Sequence, residues 1–179
     1  MVKLGDIPEL INYTVLFFLK KLFKRAILLF SCMHLLLKTP VRQPLSAVWA
    51  GFDQALFDQL SPPFPPVDVI RFDGCRTGDV VHLRLNFLLF HQDWISVIID
   101  QQTSPNEVYF IDQGTRLPFF LTAWHHRHRL VSDPAGGTVI VDDIRYQTPF
   151  WLTDYLLFPL IWLQFAYRKP IYKRIFGKA

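Results

Sequence analysis

The sequence predicts an α+β domain in which a curved antiparallel sheet of about seven strands wraps around a long C-terminal helix. Three observations lead to this prediction. One strand-like run and a helical stretch come first, six further strand-like runs follow with no helix between them, and one long apolar helical segment closes the chain. Strands and helices that are segregated along a chain are typical of α+β domains, and a sheet packed around the last helix is the economical arrangement.

The composition fits a well-packed globular domain. Of the 179 residues, 51% are hydrophobic and 19% are charged, whereas an ordinary soluble domain carries about 25% charged residues. This excludes a disordered or low-complexity protein, and a chain of this length buries enough surface to fold without a disulfide or a metal. The formal net charge is only +4 and the basic residues cluster at the two ends, so nucleic acid is not an expected partner.

An amphipathic helix is predicted ahead of the main domain. Apolar residues recur at helical spacing from Ile7 to Lys24, and a basic cluster closes the segment. We therefore divide the chain into an N-terminal extension, residues 1–25, and a main domain, residues 26–179. The basic cluster fits a solvated helix end, with docking on an anionic bilayer through residues 7–25 as the alternative.

Three features bear on the compartment, and together they predict a cytoplasmic protein. The longest run without charged residues, Tyr155 to Tyr167, is too short for a membrane span and contains Pro159. The first ten residues lack the basic, apolar and small-residue order of a signal peptide. Cys32 and Cys75 form no CxxC pair, which fits two buried thiols in a reducing environment.

The first half of the main domain is predicted to hold one strand and then helix. Residues 26–38 (AILLFSCMHLLLK) are predicted to form the first strand, bounded by a turn at residues 39–40. Pro44 suits the first turn of a helix, and apolar residues recur every three or four positions over residues 45–60, which predicts one bent helix or two short ones. Residues 61–66 (SPPFPP) end the helical part, because proline removes backbone donors and fixes φ.

Six strand-like runs and a final helix complete the domain. The runs are VDVIRFDG, GDVVHLRLNFLLF, DWISVIIDQQTS, NEVYFIDQG, PFFLTAWHHRHRLV and GTVIVDDIRYQTP. The last two flank residues 132–137 (SDPAGG), which form the clearest hairpin turn in the chain. Residues 150–176 are apolar on nearly every side as far as Arg168, as expected for a helix covered by a sheet. Pro159 is expected to kink this helix, and Pro170 to kink or end it.

Alternation along this hairpin predicts which side chains face the interior. The predicted inward-facing residues are Trp124, His126, His128 and Leu130 on the first strand and Thr138, Ile140, Asp142 and Ile144 on the second. With the turn closing between Leu130 and Thr138, His126 lies beside Asp142, and the same register sets His128 beside Ile140. Because a buried imidazole and carboxylate are costly unless paired, a hydrogen bond between His126 and Asp142 is predicted.

A set of short motifs in the second half of the chain resembles a known superfamily. The motifs are Phe110-Ile-Asp-Gln-Gly114, Leu117-Pro-Phe119, Trp124-His-His126-Arg-His128, Gly137-Thr-Val-Ile-Val-Asp142 and Tyr146. They are similar to the bacterial pattern F-x-D-x-Q…G-P-F…W-x-H-x-H-x-F…G-T-x-x-x-D-x-x-x-Y of the START-like (SRPBCC) superfamily, over residues 27–178. The chain departs from that pattern at Gln113, which directly follows Asp112, at Leu117 in place of glycine, and at Leu130 in place of an aromatic residue.

The resemblance implies the helix-grip fold, with a deep apolar cavity between the sheet and the C-terminal helix. The superfamily includes relatives of the birch pollen allergen, lipid-transfer domains and polyketide cyclases. It therefore implies that the partner is a hydrophobic small molecule or lipid, which the protein carries or senses without catalysis. The residues expected to line the cavity are Trp94, Phe110, Trp124, His126, His128, Asp142, Tyr146, Trp151, Phe158 and Trp162.

Several alternatives stay open. The protein is a polyketide cyclase or dehydratase if His126 acts as a base that Asp142 orients, and a membrane-peripheral lipid carrier if residues 7–25 lie on a bilayer. Large aromatic side chains that fill the cavity would leave a scaffold instead. His126, His128 and Asp142 are three conceivable metal ligands, but no fourth is evident and neither a metal nor a cofactor is expected. No nucleophile elbow, phosphate-binding loop or dinucleotide-binding glycine pattern occurs.

Overall fold

The computed structural model describes residues 32–177. A compact unit begins at Met33, and the predicted N-terminal helix, residues 7–25, lies outside the described residues. So do residues 26–31 of the predicted first strand. Within residues 32–177, no helix combines the length and the apolar character that a membrane span requires.

Seven strands form one antiparallel sheet in the order β1-β7-β6-β5-β4-β3-β2. Their bounds are β1 Met33–Val41, β2 Val67–Phe72, β3 Val80–Asn86, β4 His91–Thr103, β5 Glu107–Arg116, β6 Ala123–Ser132 and β7 Thr138–Gln147. Strands β2 to β7 follow one another as a meander, and β1 pairs with β7 at the far edge. The predicted α+β class and the predicted number of strands are confirmed.

Three helices accompany the sheet in the described part of the chain: α1 Leu45–Ala50, α2 Gln54–Gln59 and α3 Trp151–Phe176. The helical stretch after Pro44 is thus two short helices. The second begins at Asp53, whose carboxylate accepts a hydrogen bond of 2.9 Å from the backbone N–H of Leu56 and so satisfies a free donor of the first turn. The long helix α3 continues through both of its prolines, so of the two outcomes expected at Pro170, a kink or an end of the helix, the end does not occur.

The first strand corrects another expectation. The predicted turn at residues 39–40 is absent, because β1 runs through Thr39 and Pro40 to Val41, and Pro40 pairs with Val139 of β7. Proline lacks the N–H that a second neighbouring strand would need, and β1 has none because it lies at the sheet edge.

The predicted register of the β6–β7 hairpin is wrong by two residues. His126 lies opposite Ile144, and His128 lies opposite Asp142. The turn closes between Ser132 and Thr138 rather than nearer to Leu130, so the pairing of β6 with β7 continues further toward the turn than predicted. A shift of two residues leaves every side chain on its predicted face, and the predicted inward-facing residues of both strands are buried.

The interior consists of two apolar clusters with polar side chains between them. Along β6, His126 and His128 separate Trp124, which belongs to one cluster, from Leu130, which belongs to the other. Along α3, Arg168 stands in the same way between Phe165 and Ile171. Both elements therefore carry polar groups at the same level of the core.

Candidate functional site

A cavity of about 900 Å³ lies between the sheet and α3. Its walls come from α2, the proline-rich segment 61–66, strands β2 to β6 and the face of α3 from Leu157 to Tyr172. The walls are mostly apolar. Phe64, Leu160 and Leu163 line the cavity and yet are exposed by 62%, 58% and 61%, so the mouth lies between the proline-rich segment and the middle of α3.

Six of the ten residues predicted to line the cavity do so: Trp94, Phe110, Trp124, His126, His128 and Trp162. The other four are placed elsewhere. Tyr146 is fully buried and donates a hydrogen bond of 2.9 Å to the backbone oxygen of Asp154. Phe158 packs against an apolar cluster, and Trp151, at the start of α3, is 62% exposed. Asp142 is buried behind His126, away from the cavity.

The predicted hydrogen bond between His126 and Asp142 is present. The Nε2 atom of His126 lies 3.0 Å from Oδ1 of Asp142, and both side chains are 2% exposed. The two residues are diagonal neighbours across β6 and β7 rather than direct partners. Because an ionised carboxylate only accepts hydrogen bonds, Nε2 carries the proton. The other ring nitrogen, Nδ1, faces the carboxylate of Asp112 at 3.7 Å.

His128 lies next to His126 along β6, with the two ring centroids 3.6 Å apart. Its ring stacks on Phe110, the residue directly opposite on β5. The Nε2 atom of His128 is 3.7 Å from Oδ2 of Asp112, and its Nδ1 atom is 3.6 Å from Oδ1 of Asp142. Neither distance is a hydrogen bond. The two histidines are therefore bracketed by two carboxylates, Asp112 on the cavity side and Asp142 behind.

Asp112 is a site residue that the sequence reasoning did not select. It lies on β5 directly opposite His126, and its Oδ1 atom accepts a hydrogen bond of 3.1 Å from the indole Nε1 of Trp124. A signal for it existed, because Asp112 follows Phe110 by two residues and alternate residues of a strand share a face. What the sequence did not supply was the pairing of β5 with β6.

Arg168 is a second residue that the sequence reasoning placed differently. It was assigned to the basic end of α3, but it lines the cavity with its guanidinium 4.1 Å above the ring centroid of Phe165. Its Nε atom and the hydroxyl of Tyr172, one turn further along α3, have no hydrogen-bond partner among the described residues. Two polar groups of the helix thus face the same interior as the histidines.

The surroundings fix the charges of this cluster. Burial opposes ionisation of Asp142, but the hydrogen bond from His126 and the charges of the two imidazoles outweigh it and lower the pKa of the carboxyl. Burial also opposes ionisation of Asp112, and its interactions with His128 and His126 lower its pKa in the same way. Burial lowers the pKa of His128 to about 4, and His126 adds to this effect. At neutral pH the cluster therefore holds two carboxylates and a neutral His128.

A cysteine lies on the cavity wall as well. Cys75 lines the cavity, and burial, followed by the charges of Asp79 and Asp112, raises the pKa of its thiol to about 12. The protonated thiol is a weak nucleophile. Cys75 is therefore a wall residue and not a candidate for nucleophilic catalysis.

Comparison with known proteins identifies the fold. No protein-family profile matches the chain, and no curated protein matches it in sequence. Solved structures do: the di-domain ARO/CYC StfQ from the steffimycin biosynthetic pathway has a TM-score of 0.59 at 10% identity, covering 82% of this chain and 50% of that one. The di-domain ARO/CYC BexL from the BE-7585A biosynthetic pathway has a TM-score of 0.57 at 16% identity, covering 83% and 51%.

A third solved structure has a similar fold. Norcoclaurine synthase from Thalictrum flavum has a TM-score of 0.52 at 14% identity, covering 73% of this chain and 77% of that one. The present chain spans about half the length of the two di-domain proteins. Its fold is the helix-grip fold that these structures share.

Proposed function

We propose that this protein binds a hydrophobic small molecule in the cavity, with the polar end of the ligand against Asp112, His126 and His128. One observation carries the proposal: an apolar cavity of about 900 Å³ has a group of convergent ionisable side chains on its sheet wall. Ligand sites are typically pockets of about 300–1,000 Å³ with apolar walls and a few placed polar groups. The solved structures named for cyclase or synthase activity support a small-molecule role.

The polar cluster restricts the chemistry of the ligand. The Asp112 carboxylate accepts hydrogen bonds, and an imidazole nitrogen of His126 or His128 accepts or donates according to its tautomer. A ligand with a hydroxyl or carbonyl group at one end of an apolar body would meet these groups and leave its apolar part against the remaining walls. A carrier or a sensor needs no further chemistry than this.

Binding of the fluorescent probe 1-anilinonaphthalene-8-sulfonate tests the cavity. Ala166 lines it from α3, so Ala166→Trp fills part of the space, whereas Ala47→Trp makes the same change at an exposed site on α1 outside the cavity. We expect Ala166→Trp to weaken probe binding about tenfold or more, and Ala47→Trp to leave it unchanged. Equal affinities in the two variants would refute a ligand site in this cavity.

A second candidate function is acid–base catalysis of a cyclase or dehydratase type. The observation that favours it is the position of His126, whose Nε2 atom is held by Asp142 while Nδ1 faces the cavity. A base oriented by a carboxylate is the usual arrangement for proton transfer. With a poly-β-ketone thioester as substrate, His126→Ala would abolish turnover and retain probe affinity if the residue is catalytic. A wild-type protein that forms no product would exclude this function for that substrate.

A third candidate, a membrane-peripheral carrier, is favoured by apolar side chains near the cavity mouth. Leu88 and Leu89, in the β3–β4 turn, are each 95% exposed in the described structure. The adjoining Phe90 stacks on Phe87, which lines the cavity, and also contacts Phe119, which is 66% exposed. Apolar residues of this kind insert readily into the interface of a bilayer.

Sedimentation with phosphatidylglycerol-containing vesicles tests this candidate. Leu88→Ser/Leu89→Ser is expected to reduce binding, while Leu36→Ser, at a 47% exposed site on β1, serves as the control. Deleting residues 1–25 tests the proposed contact through residues 7–25 separately. Unchanged binding in both the double variant and the deletion would exclude the membrane-peripheral carrier.

A further inference from the structure

Three possible metal-ligand atoms converge on the cavity wall. They are Oδ2 of Asp112, Nδ1 of His126 and Nε2 of His128, and such atoms of these three residues all lie within 4.8 Å of one another. The carboxylate oxygen is 3.7 Å from each of the two nitrogens. These distances exceed those of hydrogen bonds, so the atoms face one another without a shared proton.

When both imidazoles are neutral, the geometry of the cluster directs electron pairs, not protons, to this point. The proton of His126 lies on Nε2, toward Asp142, and its Nδ1 atom therefore presents a lone pair to Asp112. His128 reaches the same arrangement when its proton lies on Nδ1, the atom 3.6 Å from Asp142. Two lone pairs and a carboxylate oxygen then face each other in a poorly solvated interior, and a bound cation would relieve this repulsion.

From this arrangement we propose that Asp112, His126 and His128 bind one divalent transition-metal ion of the Zn²⁺ or Fe²⁺ class. Two imidazoles and one carboxylate with open positions are a recurrent ligand set for such ions. At metal–ligand bonds of about 2.1 Å, tetrahedral ligand atoms lie about 3.4 Å apart. The two 3.7 Å distances would need to shorten by only a few tenths of an ångström.

The surroundings of the three ligands are those of a supported metal site. Asp142 holds the rear nitrogen of His126, and the indole of Trp124 donates to the second oxygen of Asp112. Outer partners of this kind fix the tautomer and orientation of metal ligands. Asp142, which the sequence analysis named only as a conceivable ligand, thus has the outer role, and Asp112 takes the inner one. The two carboxylates together match the charge of a dication.

The open coordination positions would face the cavity, since all three ligand residues line it. The ion would there bind an oxygen of the cavity ligand, such as a carbonyl or phenolate, as a Lewis acid. This last step rests on the proposed cavity function, whereas binding of the ion itself does not.

Metal titration of the full-length, EDTA-treated protein tests the site. Zn²⁺ is followed by calorimetry and Co²⁺ by its visible absorption, which reports nitrogen and oxygen ligands directly. We expect one ion per chain, with affinity falling at least 100-fold in His128→Ala and in Asp112→Asn. Asp142→Asn is expected to weaken binding by about 10–100-fold, as for other outer partners. Asp112→Asn retains an oxygen that accepts the hydrogen bond from Trp124. This variant should therefore remain folded, so that a loss of affinity reports on metal binding.

The matched control is His125→Ala. His125 lies on the same strand, but its ring is hydrogen-bonded to Gln113 and does not line the cavity. This variant should bind the ion as the wild type does. No saturable binding by the folded wild-type protein, or equal affinity in Asp112→Asn and His125→Ala, would overturn the proposal. The same EDTA-treated protein is also titrated with 1-anilinonaphthalene-8-sulfonate. Probe binding without metal binding refutes the metal site alone, and metal binding without probe binding refutes the cavity proposal alone.

Discussion

His128 stacks on Phe110 across β5 and β6, with ring centroids 4.3 Å apart and ring planes inclined by 15°. The two residues are direct partners in the strand register. This contact fixes the plane of the imidazole, so its two nitrogens point along the sheet toward Asp112 and Asp142 rather than across the cavity. An apolar wall residue thus orients a polar one, which ties the shape of the cavity to the chemistry of its sheet wall.

The buried pair of His126 and Asp142 is expected to be a large contributor to stability. Asp142→Ala leaves the buried N–H of the neutral His126 imidazole without its acceptor, and an unsatisfied buried donor costs about 1–3 kcal/mol. We expect a loss of that size in the free energy of unfolding, measured by urea denaturation. The control is Asp143→Ala, which removes the partner of the half-exposed His34 and should cost less than about 1 kcal/mol. Similar losses in the two variants would contradict this account.

Tyr146 is expected to support the fold and not the ligand. It is fully buried, and its hydroxyl donates to the backbone oxygen of Asp154 in the first turn of α3. Tyr146→Phe removes this buried hydrogen bond, at a cost of about 1 kcal/mol. We expect lower stability in urea but unchanged affinity for 1-anilinonaphthalene-8-sulfonate. A clear loss of probe affinity would instead assign Tyr146 to the cavity, as the sequence-based expectation had it.

The part of the site on the β6–β7 hairpin could be predicted because a strand alternates its faces. Alternation alone placed His126, His128 and Asp142 in the interior, and the cost of burying charge paired the first with the third. The exact register could not be predicted, since it depends on where the turn closes. Asp112 was not predicted for a related reason. It meets His126 because β5 pairs with β6, and no local sequence pattern specifies that pairing.

In the long helix α3, by contrast, the sequence could not identify the residues that face the sheet. Because α3 is apolar on nearly all sides, its periodicity does not identify the face that meets the sheet. Of the α3 residues predicted to line the cavity, Trp151 is exposed, whereas Ile161, which was not predicted to face the sheet, is buried. The packing of the sheet against the helix selects that face. Arg168 was unpredictable in the same way, as a charged residue inside the cavity contradicts the usual preference for the surface.

Substitution of two adjacent glycines distinguishes two contributions to the free energy of unfolding, the backbone conformation and a steric clash. Gly136 and Gly137, in the β6–β7 turn, have φ of +96° and +92°. A Cβ atom at Gly136 meets nothing within 4 Å, whereas one at Gly137 comes within 2.3 Å of the backbone oxygen of Val41. Gly136→Ala should therefore cost about 1–2 kcal/mol from the positive φ alone. Gly137→Ala should cost clearly more in the same urea measurement, and equal costs would contradict the close approach of the turn to β1.

The reactivity of Cys75 is expected to report on the cavity. Because its thiol pKa is raised to about 12, the thiolate fraction, and with it the rate of alkylation by a maleimide, should rise about tenfold per pH unit from pH 7 to 10. An ordinary thiol, with a pKa of about 8.5, levels off near pH 9, so glutathione is the control. The experiment uses the Cys32→Ser variant, in which Cys75 is the single thiol. Saturating 1-anilinonaphthalene-8-sulfonate should slow the reaction, because Cys75 lines the cavity. A rate that levels off near pH 9 would show that the thiol is solvated, and a rate insensitive to the probe would place the bound probe away from this wall.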